Sequence, residues 1–326
     1  MNNEFDDLTK AMAQSVTRRQ ALEKFGFAGV VLACLGMTLQ AGAAPSFTTI
    51  DFPGAVFTTA PGINRFGDIV GHYIDTAGID HGYLLHKGTF STIDFPGADG
   101  GHAHDINSGG VIVGQYFIAK RYNGYVLSGG VYTSIEFPRA QSTRANGINT
   151  AGEIVGTYFD NNSDTTGGSN GSKGHGFLLS DGVFLTIDFP GADYTDVWRI
   201  NDNRQILGRY KIGNANFHIF LFTLSNGAFI SLDYPGAPQT AMGDYSQLGG
   251  LNNNGDIASG FCSSTSNCEV ASFGALHGFL LNAGVFTPMD APGAAGTLAF
   301  GINERGLIVG AYTDANLRVH GFLRSP

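Results

Sequence analysis

From Phe47 to its end the chain is written in short runs rich in β-branched and aromatic residues, each closed by Gly, Asn or Pro. Such runs read as β-strands bounded by turns. No segment after Phe47 carries the apolar spacing of a helix. The runs also repeat. One phrase, F-x-T-I-D-F-P-G-A, then G-I-N, a short turn, I-V-G-x-Y, a variable stretch and H-G-F-L-L, recurs six times. Its asparagines, Asn64, Asn107, Asn149, Asn201, Asn252 and Asn303, are spaced by 43, 42, 52, 51 and 51 residues, a period typical of solenoid or propeller units.

Each unit therefore holds four strands, A to D. In the first unit A ends at Gly62-Ile63-Asn64, B covers Asp68 to Tyr73, C covers Gly82 to His86 and D covers Phe90 to Phe95. The A-to-B and C-to-D turns are tight and Gly-bearing, as hairpins require, whereas the B-to-C and D-to-A connections vary in length and composition. In a four-stranded meander those two variable connections emerge on one side, so the fold has one uniform face and one diversified face.

Strand counting predicts closure. The last unit ends at His320-Gly321-Phe322-Leu323 with only Arg324-Ser325-Pro326 behind it and so lacks its D strand. A spare D strand, Phe47 to Phe52, precedes the first unit. Pairing the two seals a ring with only short protected edges, whereas an open stack would expose apolar end faces. The expected fold is all-β: a six-bladed β-propeller forming one domain over residues 44–326. Composition agrees, at 43% hydrophobic and 14% charged with 48 glycines.

Residues 1–43 read differently. Thr17-Arg18-Arg19-Gln20-Ala21-Leu22-Glu23-Lys24, an apolar run from Phe25 to Leu39 and Ala41-Gly42-Ala43 have the layout of a bacterial export signal with a twin-arginine flavour, cleaved after Ala43. The run is shorter than the roughly 20 residues a spanning helix needs, so no membrane span is expected once it is removed. A lipid-anchored form would use Cys34, behind Val31-Leu32-Ala33, a poor lipobox. The protein is expected in the periplasm or outside the cell. There Cys262 and Cys268 can pair as a loop staple. The net charge of −9 and the lack of a basic stripe argue against a nucleic-acid partner.

Gly301-Ile302-Asn303, Ile308-Val309-Gly310-Ala311-Tyr312 and His320-Gly321-Phe322-Leu323, repeated through the chain, resemble the HAF family of bacterial extracellular repeats. The resemblance covers essentially all residues after the export segment and implies export and a repeat fold. It brings no catalytic residues. Two departures stand out: Asn123-Gly124-Tyr125 in place of His-Gly-Phe, and Ser259 in place of glycine.

Residues present in every unit suit structure rather than a single active site. His81, His175, His218, His277 and His320 share one strand C position, and Asp51, Asp94, Glu136, Asp188, Asp233 and Asp290 share one strand D position. They are expected to hydrogen-bond within or between blades. Function should lie where the copies disagree. Five residues before the asparagine stand Thr59, His102, Arg144, Asp196, Gln247 and Leu298; three before it stand Pro61, His104, Asn146, Trp198, Gly249 and Phe300; two before it, Asp105 and Arg199 break a glycine column. These variable positions predict that His102, His104, Asp105, Arg144, Asn146, Asp196, Trp198 and Arg199 ring the channel mouth on the diversified face, and strand alternation points the His102 and His104 imidazoles the same way.

Three readings fit that cluster. Polar variety at a wet mouth is one. A pocket for a small molecule, glycan or peptide is the second, with Trp198 stacking and Arg144 or Arg199 pairing with an anion. The third is a divalent metal held by His102 and His104, with Asp105 or Asp196 as a further ligand or base in a metal-assisted hydrolase or lyase. A structural envelope role is a further alternative. A G-x-S-x-G string at Gly167–Gly171 lies in a Gly/Ser-rich loop rather than at a strand-to-helix turn.

Overall fold

The structure is a computed structural model and describes residues 45–160, 173–213, 216–240, 249–264 and 275–326. Residues 1–43, expected to be an export signal, Gln247, Cys268 and the G-x-S-x-G string lie outside them. Six antiparallel sheets form the ring that the strand count predicts. Strands A to D of blade I are Phe57–Ile63, Ile69–Ile74, Asp80–His86 and Thr89–Ile93; those of blade II are Gly100–Ile106, Ile112–Ile118, Arg121–Ser128 and Val131–Ile135. Blade III opens with Ser142–Ile148 and Ile154–Phe159, and blade IV with Tyr194–Ile200 and Gln205–Lys211. Blade VI takes Gly296–Ile302, Ile308–Thr313 and Val319–Ser325 from the C-terminal end and Ser46–Ile50 from the other. Phe47 lies opposite Arg324 and Ile50 opposite Gly321 in that closing ladder.

The D strands stop earlier than the sequence suggests, at Ile50 and Ile93 rather than Phe52 and Phe95. The reason is aromatic packing. Each phenylalanine of D-F-P-G leaves the ladder and stacks on the strand B tyrosine of the next blade: Phe52 on Tyr73 and Phe95 on Tyr116 at 3.7 Å, Phe189 on Tyr210 at 3.6 Å. Those tyrosines also stack on the strand C histidine, as in Tyr73 with His81 at 4.9 Å. That histidine bonds the strand D aspartate: His81 to Asp94 at 3.1 Å, His175 to Asp188 at 2.7 Å, His320 to Asp51 at 3.0 Å. The recurring letters of the repeat thus form a chain of contacts across the junctions, with Tyr73, Tyr116 and Tyr210 buried and the His–Asp pairs partly exposed. Blade II, with Asn123 for histidine, uses an Arg121–Glu136 ion pair at 3.4 Å instead.

A second ring binds the blades near the axis. The asparagine Oδ1 accepts backbone N–H groups two and four residues on, as Asn107 does from Gly109 and Val111, and so shapes its own A-to-B turn. Its Nδ2 donates to the carbonyl of the next asparagine: Asn107 to Asn149 at 3.0 Å, Asn201 to Asn252 at 3.0 Å, and finally Asn303 to Asn64 at 3.0 Å. Six such bonds run around the ring.

The strand B glycine lets strand A approach. A Cβ at Gly156 would lie 1.9 Å from the Arg144 carbonyl oxygen, and one at Gly310 would lie 2.1 Å from that of Leu298. Ser259 holds this position in blade V. There the described strand A pairs are only Gln239–Thr240 and Gly250–Leu251, which flank the point opposite Ser259.

Asn107→Ala removes the side-chain acceptor of two backbone N–H groups and one inter-blade donor, so it should cost about 2–4 kcal/mol in equilibrium denaturation, at roughly 1 kcal/mol per bond plus the stranded N–H groups. Asn203→Ala, which removes an exposed turn contact, should cost about 0.5 kcal/mol or less. Equal costs would place the stabilisation outside the ring.

Candidate functional site

A β-bulge decides where the candidate residues point. In blades II, III, IV and VI the A–B register slips at the third residue before the asparagine, around His104, Asn146, Trp198 and Phe300; in blade I it slips between Thr59 and Gly62. A bulge breaks the alternation of faces. The eight candidates therefore do not share one mouth. Asp105 and Arg199 face the axis from the uniform side, and the others line a lumen on the diversified side.

The bulge also turns backbone carbonyls inward, and Arg199 collects them. Its Nη1 donates to Asn146 O at 2.8 Å and Trp198 O at 2.9 Å; its Nη2 donates to Pro61 O at 2.7 Å, His104 O at 3.3 Å and Phe300 O at 3.4 Å. One guanidinium on the axis ties five blades. Asp105 accepts the N–H groups of Ile106 and Ile148 and lies 3.9 Å from Arg199 Nε. Burial pushes the Asp105 carboxyl up and the Arg199 guanidinium down, and each charge partly restores the other. Both line a cavity of about 60 Å³ inside the asparagine ring, room for about two waters. Arg199 is thus committed to the fold, contrary to its expected role as an anion partner on the diversified face.

On the diversified side the position after I-V-G forms a second variable ring, opposite the first: His72 faces Thr59, Gln115 faces His102, Thr157 faces Arg144, Arg209 faces Asp196 and Ala311 faces Leu298. Counting only backward from the asparagine missed it, although the variation between a glycine shared by five blades and an aromatic neighbour marks it. Trp198 is 0% exposed and packs with Leu207, Phe217, Leu298 and Phe300, so it offers no stacking platform. Asp196 is equally buried, accepts from Thr157 and pairs with Arg209 at 3.1 Å, which removes it as a ligand or general base. Asn146 donates to Thr157 and to Val197 O. Half of this lumen is a packed plug.

The other half, over blades I to III, is polar. Arg144 sits between Tyr122 and Phe159, 4.9 Å from each ring centroid. Its Nε has no hydrogen-bond partner, and among the described residues no carboxylate pairs with it. Beside it, strands B and C of blade II meet through Ala119–Lys120, both at positive φ, the shortest described connection on this face. His104 and His102 do not converge as a pair: His104 donates from Nδ1 to Ala145 O at 3.0 Å, in the next blade. His102 instead stacks on His72, ring centroids 3.9 Å apart, and its Nε2 lies 3.5 Å from Asp80 Oδ1. Burial, then the His102 charge, holds His72 and His104 well below the ordinary imidazole value. Burial raises the Asp80 carboxyl, but the hydrogen bond and charge of His102, with the charges of His72 and His81, outweigh it and leave it lowered.

Cys262 is buried at the end of strand B in blade V, and its expected partner Cys268 lies outside the described residues. No helix among the described residues is long and apolar enough to cross a membrane.

No protein-family model and no curated protein matches the chain. The solved structures show the fold. A candidate gluconolactonase, a structural-genomics target, shares it at a TM-score of 0.52 and 12% identity over 87% of this chain and 93% of that one. The β-propeller domain of the Trilobed protease from Pyrococcus furiosus matches at 0.50 and 10% identity over 82% and 78% of the two chains. Its velcro is described as open. A lectin from Aleuria aurantia matches at 0.50 and 10% identity, over 82% and 93%. At these identities the likeness carries architecture and no activity.

The lowered imidazoles have a consequence for acid stability. Their stabilising contribution is complete above the unfolded value near 6.5 and is lost as pH falls from there toward the folded values. With a chelator present, denaturant melts should lose up to about 1.4 kcal/mol per pH unit for each of His72 and His104 below pH ~6.5. His104→Gln should flatten that slope; an unchanged slope would mean that His104 is not the titrating group.

Proposed function

We propose that this protein is an exported binding module whose diversified face takes an anionic small molecule or glycan at Arg144. The observation that carries the reading is the guanidinium itself, clamped between Tyr122 and Phe159 with no carboxylate beside it among the described residues. A cation this buried is ordinarily paired, and a ligand carboxylate, sulfate or phosphate would complete it. The short Ala119–Lys120 turn leaves the approach low on the blade II side. The HAF resemblance and the arginine pair Arg18–Arg19 support an exported repeat protein. The lectin among the similar folds, solved with a fucosylated GlcNAc disaccharide, is a precedent for the scaffold alone.

A glycan array holding uronic-acid, sulfated and neutral oligosaccharides tests the reading. Retention should favour the acidic sugars. Arg144→Met, which keeps the stem between the two rings, should weaken the best acidic ligand at least tenfold by calorimetry, since a charge-assisted bond contributes about 1.5–3 kcal/mol. Equal retention of neutral sugars, or unchanged affinity in the variant, would defeat it. Export is tested separately: Arg18→Lys with Arg19→Lys should hold the chain in the cytoplasm, and normal export of that variant would remove the twin-arginine reading.

A further inference from the structure

His72, Asp80 and His102 come from three strands: B and C of blade I and A of blade II. One ligand atom from each lies within 4.8 Å of the other two. Their second contacts orient them. Thr59 Oγ1 holds His72 Nδ1 at 2.8 Å, and Gln115 holds His102 Nδ1 at 3.2 Å, which leaves Nε2 of each ring for a ligand. His102 Nε2 is buried and has no partner beyond the Asp80 carboxylate at 3.5 Å. Gln115 Oε1 is also unpartnered, so turning that amide over lets it accept from an Nδ1–H and leaves a bare lone pair on Nε2. Hydrogen bonds at the far nitrogen are how proteins fix ligating histidines.

We propose that His72 Nε2, His102 Nε2 and the Asp80 carboxylate form a Zn²⁺ site on the diversified face, with the fourth position open. Two imidazoles and one carboxylate suit a borderline cation and not Ca²⁺ or Mg²⁺, which take oxygen ligands. The rings stack at 16° between planes, so loading tilts them to converge on the ion. Asp80 and His102 are 28% and 17% exposed as side chains, which gives the ion a way in. His104 is excluded from the set by its bond to Ala145 O. Strand alternation, which pairs His102 with His104, points to the wrong partner; the second variable ring supplies the right one. The site is independent of Arg144.

Equilibrium dialysis of the chelator-stripped protein after removal of residues 1–43, against Zn²⁺ at pH 7.5, tests it. One equivalent should be retained, Ca²⁺ should not compete, and Zn²⁺ should raise the melting temperature. Asp80→Asn, at a half-exposed position that need not disturb folding, should weaken retention at least tenfold and abolish the thermal shift. His72→Gln should do the same. His104→Gln and Arg144→Met should retain the metal. Failure to bind Zn²⁺, or binding unchanged in Asp80→Asn and His72→Gln, overturns the proposal; loss in His104→Gln with retention in His72→Gln would restore the pairing of neighbours along the strand.

Discussion

Five carbonyl dipoles aimed at one axis repel one another unless a cation stands among them, and here that cation is Arg199. The arrangement begins in the backbone. The bulge that turns the carbonyl of Asn146 or Phe300 inward would strand it in a space too narrow for a full shell of water. A single guanidinium, planar and with five donors, can satisfy several carbonyls at once, which the ammonium of a lysine cannot match in that geometry. The asparagine ring one step away closes the same circle through neutral groups. Between them, the core of a nominally hollow fold becomes a hydrogen-bonded disc.

That disc separates two chemistries. Toward the uniform face lies the small cavity edged by Asp105, Arg199 and the turn asparagines, where invariant positions dominate. Toward the diversified face lies the lumen, where each blade contributes a cross-strand pair. Because the pairs differ, the lumen has no symmetry. Blades IV and VI fill it with Trp198, Arg209, Leu298 and Phe300, and blades I to III leave it polar.

Much of this architecture is legible in the letters of the repeat. Blade number and closure follow from counting strands, since a period-two pattern and a missing D strand leave little freedom. The His–Asp pairs, too, could be expected from their recurrence. The destinations of His102, His104, Trp198 and Arg199 could not. A bulge at that position has no shared residue in this chain: Pro61, His104, Asn146, Trp198 and Phe300 all occupy it. It arises from crowding at the axis, a property of the assembled ring, and it reverses the face on which every later side chain of strand A appears. His72 and Arg209 were missed for a simpler reason, since they lie on the strand across the ladder and become neighbours of His102 and Asp196 only when strands pair.

Buried polar atoms without hydrogen-bond partners follow the blades that carry the variable polar side chains. His104 Nε2, Gln115 Oε1, Arg144 Nε and Asn146 Oδ1, in blades II and III, and Trp198 Nε1, in blade IV, are buried without hydrogen-bond partners. On the uniform side the buried Asp105 carboxylate is satisfied at both oxygens. A stranded buried polar atom costs about 1–3 kcal/mol, so each such side chain is carried at some expense to stability. The Zn²⁺ cluster and the anion site proposed above would satisfy part of that set in blades II and III, Gln115 Oε1 and Arg144 Nε, and leave the Trp198 plug as it is.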